Sequence, residues 1–229
     1  MTLQNIIDRN NATLAFLQQQ DFHSAVLSSS AAMALLQEEF VERNNPAAFL
    51  STITADDSAS DSDYLDQCML LVHVNTSISS DDLYHDDTPA FVYDLGIAIP
   101  PTATGGIQYE AIAAILIFNT ALTHQLYAHQ LQDKSASQGY LLKSKRLYDL
   151  ALVAYGDEDH NVLFQFAVTN NIAVIELATG NATLSTEYFE NLLSVFMLLV
   201  DQGCSSRLRH LQGFLRNVPS QVVQSASAA

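Results

Sequence analysis

The chain has 229 residues, of which 48% are hydrophobic and 15% charged, a balance that suits a packed core and excludes a disordered protein. Nine Lys and Arg against 25 Asp and Glu give a formal net charge of -16, which repels nucleic-acid phosphates and anionic lipid surfaces. We therefore expect neither a nucleic acid nor a membrane as partner.

Three further features predict an intracellular protein, cytoplasmic or nuclear. Cys68 and Cys204 lie far apart and match no metal or redox spacing, so a disulfide framework is not expected. Residues 1–10 lack the apolar stretch of a signal peptide. The longest apolar runs, Ala111–Phe118 and Leu192–Val200, are shorter than the roughly 20 residues that span a bilayer.

Most of the chain has helical periodicity. Asp21 is a predicted N-cap, and the apolar residues that follow it recur at three- and four-residue spacing as far as a stop at Asn44, Asn45 and Pro46. The same spacing predicts five further helices, with glycines near several of their ends: Ile107–Gln130, Gln138–Tyr155, Asn161–Ala178, Thr186–Gln202 and Ser206–Asn217.

An acidic insert, residues 43–106, interrupts the helices. No Lys or Arg occurs between Arg43 and Lys134, and Ser51–Asp66 is a Ser/Asp/Ala tract that predicts a solvated, mobile loop. Two short stretches, Cys68–Asn75 and Ala90–Ile99, carry the β-branched and aromatic residues of strands. The acidic loop Thr76–Thr88 would join them as an antiparallel β-hairpin arm. A flexible tail is expected over residues 218–229.

The sequence repeats a unit three times: an Asn on a first helix, a small residue two positions later, a turn, and a second helix with apolar or small residues at fixed offsets. The copies are Asn11, Thr13, Phe16 with Phe22, Ala25 and Ala32; Asn119, Ala121, His124 with Ser144, Tyr148 and Ala151; and Asn171, Ala173, Glu176 with Tyr188, Leu192 and Val195.

This unit resembles the tetratricopeptide repeat (TPR), whose second helix favours such aromatic and alanine positions. The segments Phe118–Leu126, Leu147–Leu152 and Asn170–Leu177 are also similar to a set of algal TPR-like proteins in which a β-arm precedes the second hairpin. The spacing between copies is longer than in a regular array, and Ser144 replaces the usual Ala. The resemblance implies a mostly α fold: a degenerate solenoid of three TPR-like helical hairpins, in one domain of residues 1–229, with the arm between the first two.

Stacked hairpins of this kind leave a concave groove lined by first helices, and such grooves bind peptides. The resemblance implies a partner-binding groove with these residues: Asn11, Leu14, Leu17, Phe118, Asn119, Leu122, Leu126, Asn171, Val174 and Leu177. Arg9 is the only basic residue on the three first helices, so the cationic clamp that some relatives use for acidic C-termini is not expected. The three Asn residues either bond within the structure or contact a peptide.

Chemical motifs are weak. His124 and His129 lie about 140° apart around one helix and do not form a zinc pair. The densest acidic cluster, in the loop between the predicted strands, is Asp81, Asp82, His85, Asp86 and Asp87; it misses the calcium-loop pattern and predicts a solvated tip rather than a weak cation site. No nucleophile elbow or phosphate-binding Gly-rich loop is present.

We therefore expect a non-enzymatic interaction module or adaptor, without cofactor or metal, that offers its groove to a peptide or helix. The alternatives are a small-molecule or lipid-binding protein with an apolar cavity between hairpins, and a hydrolase whose triad is assembled by the fold. A contiguous apolar groove needs a cover. The nearest cover is the arm itself, which is too apolar and too short to be stable alone.

Overall fold

The computed structural model describes residues 3–43, 70–73, 92, 94–100, 109–155, 162–201, 214 and 217, with residues 42, 43 and 70–73 described by their backbone. This part of the chain is mostly helical, as predicted. Its elements are α1 (Leu3–Gln18), α2 (Phe22–Arg43), β1 (Leu70–His73), β2 (Leu95–Ala98), α3 (Tyr109–Gln130), α4 (Lys134–Tyr155), α5 (Val162–Ala178) and α6 (Ala182–Asp201).

The chain divides into two compact units. The first contains α1 to α4 and both strands, and the second contains α5 and α6. A single domain with an insert and a tail stays a prediction. The predicted loop Ser51–Asp66, both cysteines and the acidic cluster between the predicted strands lie outside the described residues.

The turn between α1 and α2 depends on two neighbouring residues. Gln20 has a left-handed backbone with φ of 59°, a conformation that reverses the chain directly after a helix. Asp21, the predicted N-cap, accepts a hydrogen bond from the backbone N–H of Ser24 at 3.1 Å. Hydrogen bonds from Ser24 lower the pKa of the Asp21 carboxyl, so the cap is charged at neutral pH.

Helix α3 is the core helix of the first unit. Fifteen of its 22 residues are buried, including consecutive residues from Ala114 to Leu126, which only a helix surrounded by protein can achieve. Within the described part of the chain it is the one helix long and apolar enough to cross a membrane, but 89% of its most apolar window is buried inside the protein. Burial of this kind is what a core helix requires.

Helix α4 packs antiparallel on α3 through a row of polar contacts. Ser137 and Ser144 donate hydrogen bonds to the carbonyls of Ala128 and Ala121 at 2.9 and 2.7 Å. Tyr148 is fully buried and packs against Phe118 with the two rings tilted by 56°, and their centroids lie 5.7 Å apart. Side-chain bonds to helix carbonyls therefore fix how the two helices lie along one another.

The predicted start of α4 at Gln138 is wrong by one turn. Asp133 accepts a hydrogen bond from the Ser135 N–H at 2.9 Å and caps a helix that begins at Lys134. Gly139, which the sequence suggested as a boundary, lies within the helix in open space. An exposed helical glycine costs only about 1 kcal/mol, so the capped start before it prevails.

The second unit is built on the α5–α6 hairpin, whose turn contains Gly180 with φ of 91°. Helix α6 begins at Ala182 rather than at the predicted Thr186, because the Ser185 N–H already bonds the Asn181 carbonyl at 3.0 Å. Of the predicted helix Ser206–Asn217, only Phe214 and Asn217 are described. Phe214 is buried and meets Phe166 edge-on, with centroids 4.8 Å apart.

The two strands pair antiparallel, with Leu70 opposite Ala98 and His73 opposite Leu95. Strand β2 is shorter than the stretch Ala90–Ile99 that the sequence suggested, and of the stretch Cys68–Asn75 the structure describes only Leu70–His73. A sheet of two short strands is marginal on its own. It therefore needs support from the helices that it contacts.

Candidate functional site

Strand β2 and the residue directly after it, Ile99, lie against α1 and α3, and most of these residues are buried. Leu95, Ile97 and Ile99 are 6%, 2% and 1% exposed. Gly96 is also buried, and a Cβ atom at this position would clash with the Leu14 side chain of α1. The absence of a side chain at Gly96 is what lets the strand approach the helix so closely.

Two asparagines hold the backbone of this strand, each through both ends of its carboxamide. Asn119 on α3 accepts the Ile97 N–H at 2.9 Å and donates to the Ile97 carbonyl at 2.7 Å. Asn11 on α1 accepts the Ile99 N–H at 3.0 Å and donates to the Ile99 carbonyl at 2.7 Å. Since alternate residues of a strand face the same edge, the two carboxamides satisfy one edge of β2 as a neighbouring strand would.

A third asparagine connects the other two. Asn10 donates to the Ile97 carbonyl at 3.1 Å and to the Asn11 carboxamide oxygen at 3.2 Å, and its own oxygen accepts from Asn119 at 2.8 Å. Asn10 and Asn119 are almost fully buried, so bulk water does not replace a lost partner. The network is specific for backbone groups, because none of its bonds involves a side chain of β2.

The structure places the predicted groove residues in two groups. Those of α1 and α3 belong to the first unit, where Asn11, Leu14 and Asn119 contact β2 and the apolar members are all buried: Leu14, Leu17, Phe118, Leu122 and Leu126. Asn171, Val174 and Leu177 lie on α5 in the second unit, where Asn171 and Val174 are buried and Leu177 is partly buried.

The sequence prediction missed Asn10, Gly96 and the roles of Ile97 and Ile99. One signal for Asn10 was available: the doublet Asn10-Asn11 recurs as Asn170-Asn171. In the second unit Asn170 donates to the Asn171 oxygen at 3.1 Å and accepts from Asn217 at 2.9 Å. That arrangement matches the way Asn10 donates to Asn11 and accepts from Asn119 in the first unit.

A contrasting polar residue on α3 is His124, which is 1% exposed. Neither ring nitrogen has a hydrogen-bond partner among the described residues, and the ring lies 5.5 Å from that of Tyr140. Burial, assisted by the charge of Lys143, lowers the pKa of His124 to about 4. The imidazole is therefore neutral at pH 7 and offers one donor and one acceptor.

The described residues hold no group of three or more His, Cys, Asp or Glu that could bind a metal ion. The expected absence of a metal and of catalysis stays a prediction, because it also concerns parts of the chain outside these residues. A comparison of the chain with protein-family models, curated proteins and solved structures found no match.

Proposed function

We propose that the chain is a non-enzymatic protein–protein interaction module whose helices recognise an extended peptide by its backbone. The observation that carries the proposal is the double hydrogen bonding of Ile97 by Asn119 and of Ile99 by Asn11. In this reading β2 occupies the place of a partner strand. Main-chain bonds supply affinity in such binding, and pockets for alternate side chains supply specificity.

The proposal includes the TPR-like repeat with its inserted β-hairpin arm. Three helical hairpins support it: α1–α2, α3–α4 and α5–α6. The first and third also share their turn chemistry, since Gln20 and Gly180 have the same left-handed backbone and stand at the same distance after the Asn doublets. In each second helix buried residues recur three apart, for example Ser29 and Ala32, Leu141 and Ser144, and Phe189 and Leu192.

An external peptide has to compete with β2, which is tethered to the surface that it occupies. A short tether gives an effective concentration on the order of millimolar. A partner that binds the empty surface with about micromolar affinity, equal to that of β2, is therefore weakened about a thousandfold. We infer that a natural partner either binds more tightly than β2 or meets the protein when β2 is displaced.

The experiment compares wild-type protein with an open variant in which Asp94–Pro100 is replaced by Gly and Ser residues. A labelled peptide with the sequence of Asp94–Pro100 is titrated into both, and binding is measured by fluorescence anisotropy. We expect saturable binding to the open variant only. The same peptide methylated on the Ile97 backbone nitrogen cannot donate to Asn119, and we expect it to bind at least about tenfold more weakly.

A second measurement uses the unmodified protein. Peptides selected on it from a displayed random library should speed amide hydrogen exchange at Ile97 and Ile99, because they displace β2. Equal binding of the methylated and unmethylated peptides would contradict backbone recognition. Failure of both the strand peptide and the library to bind would leave β2 a purely structural element and overturn the proposed function.

A further inference from the structure

A cavity of about 650 Å³ lies between α2, α3 and α4 in the first unit. Its volume falls within the range of small-molecule sites, which are mostly apolar with a few placed polar groups. The wall has this composition, since its apolar side chains include Met33, Leu36, Ile117 and Leu147, and three nitrogen-bearing side chains also line it: Gln37, His124 and Lys143. The lining of the cavity does not include Asn10, Asn11, Leu14 or Asn119, the residues shown above to contact β2 and Ile99.

The buried His124 is the polar group at this cavity that most needs a partner. It is 1% exposed, lines the cavity, and has no hydrogen bond to either nitrogen within the described part of the chain. Buried polar side chains are normally bonded, and one that is not requires an explanation. Both ring nitrogens are shielded from solvent in the structure, so a ligand in the cavity would supply the missing partner once the side chains that cover the ring move aside.

Charge narrows the class of ligand. Lys143 lines the same cavity, and none of the described lining residues is Asp or Glu. A cationic head group would therefore be repelled by Lys143 and would have no carboxylate to pair with among these lining residues. An anionic oxygen, in contrast, can accept a hydrogen bond from the His124 ring and pair with the Lys143 ammonium.

We propose that this cavity binds an aliphatic monocarboxylate, with its carboxylate between His124 and Lys143 and its hydrocarbon chain along Met33, Leu36 and Ile117. The inference is independent of the peptide surface, because Asn119 and His124 lie on different sides of α3. A fatty acid of medium or long chain has both the single charge and the extended apolar body that the wall matches.

The test uses the fluorescent fatty acid dansylaminoundecanoic acid as probe and the full chain as protein. Saturable binding should move the dansyl emission to shorter wavelength. Dodecanoate should displace the probe, and dodecylammonium, which has the same chain and the opposite charge, should not. In the wild-type protein, dodecanoate should also shift the ring NMR signals of His124.

Three variants locate the head group. Lys143→Glu should weaken probe binding about tenfold or more, whereas Arg146→Glu, a matched charge reversal at an exposed site of α4 outside the cavity wall, should change it less than about twofold. His124→Phe keeps the ring and removes both nitrogens, and it should weaken the probe about fivefold.

Absence of saturable probe binding to the wild-type protein would overturn the inference. Equal displacement by dodecanoate and dodecylammonium, or equal effects of Lys143→Glu and Arg146→Glu, would overturn it as well. Because none of these measurements involves β2 or its peptide, a failure here is distinguishable from a failure of the proposed function.

Discussion

Asn119 and His124 are both buried on α3, about 140° apart around the helix axis, yet their surroundings differ completely. Asn119 bonds both backbone groups of Ile97 and the Asn10 oxygen, whereas His124 bonds nothing among the described residues. One side of the helix has a polar site completed by the chain itself. The other has a polar site with no hydrogen-bond partner among the described residues.

The largest expected effect is the loss of stability when Asn119, which bonds Ile97 and Asn10, is removed. Asn119→Ala leaves the Ile97 N–H and the Asn10 oxygen buried without partners, at a cost of roughly 3–4 kcal/mol in the free energy of unfolding. Urea denaturation measures it. The control Asn5→Ala, at an exposed position of α1, should cost less than about 0.5 kcal/mol. Similar losses in the two variants would mean that the network adds nothing to stability.

The next effect concerns how closely β2 approaches α1. Gly96→Val should destabilise the protein by roughly 2–3 kcal/mol, because its Cβ meets the Leu14 side chain. A double-mutant cycle with the smaller substitution Gly96→Ala tests this contact. The loss of stability caused by Gly96→Ala should be smaller in the Leu14→Ala variant, where the Leu14 side chain is truncated, than in the wild type. Strictly additive losses in this double-mutant cycle would show that the two residues do not meet.

Lowering the pH should destabilise the protein through His124, which lies on the other side of α3 from Asn119. Burial holds the pKa of His124 at about 4 in the folded protein, against the ordinary value of 6.5, so between these two values the unfolded chain binds a proton that the folded chain does not. The free energy of unfolding therefore has its full value above pH 6.5 and decreases as the pH falls from 6.5 towards 4. Near pH 5 the loss is about 2 kcal/mol.

The variant His124→Phe isolates this contribution from the titration of other groups. Between about pH 7.5 and 5 it should lose about 2 kcal/mol less stability than the wild type in urea unfolding. At neutral pH it should be at least as stable as the wild type, because it removes two buried nitrogens that have no hydrogen-bond partner within the described part of the chain. A pH dependence identical to that of the wild type would contradict the burial of a neutral imidazole.

The smallest effect is a gain. Gly139 lies in α4 with nothing within 4 Å of a Cβ at that position, in contrast to Gly96. Gly139→Ala should therefore stabilise the protein by about 0.5–1 kcal/mol through better helix propensity. Calorimetry would show a small rise in Tm, and a fall would mean that α4 needs flexibility at this position.

The sequence predicts the long helices well because apolar spacing and the core requirement agree there. Helix α3 covers Tyr109–Gln130 and ends where the sequence predicts, whereas its predicted start at Ile107 lies outside the described residues. The starts of α4 and α6 were wrong, since local capping by Asp133 and the Asn181 carbonyl outweighed the apolar pattern. Periodicity reports the buried face of a helix and is weak evidence for where the helix begins.

The candidate site was predictable only in part. The recurrence of Asn11, Asn119 and Asn171 singled out the right residue type on α1 and α3, but nothing local to Ile97 or Ile99 predicts that an Asn far away in the chain will bond their backbone. Likewise, no residue adjacent to His124 in sequence predicts that its ring nitrogens have no hydrogen-bond partner among the described residues. Both properties depend on tertiary contacts, which no spacing rule contains.

The carboxamides of Asn11 and Asn119 that bond the β2 edge also affect whether another strand can add to the sheet. An unpaired strand edge is a template on which strands of other molecules can add, and natural proteins block such edges with charges, bulges or covering elements. Here Asn11 and Asn119 occupy the N–H and carbonyl groups that an incoming strand would use. The same two side chains that fix β2 therefore also prevent the sheet from growing in that direction.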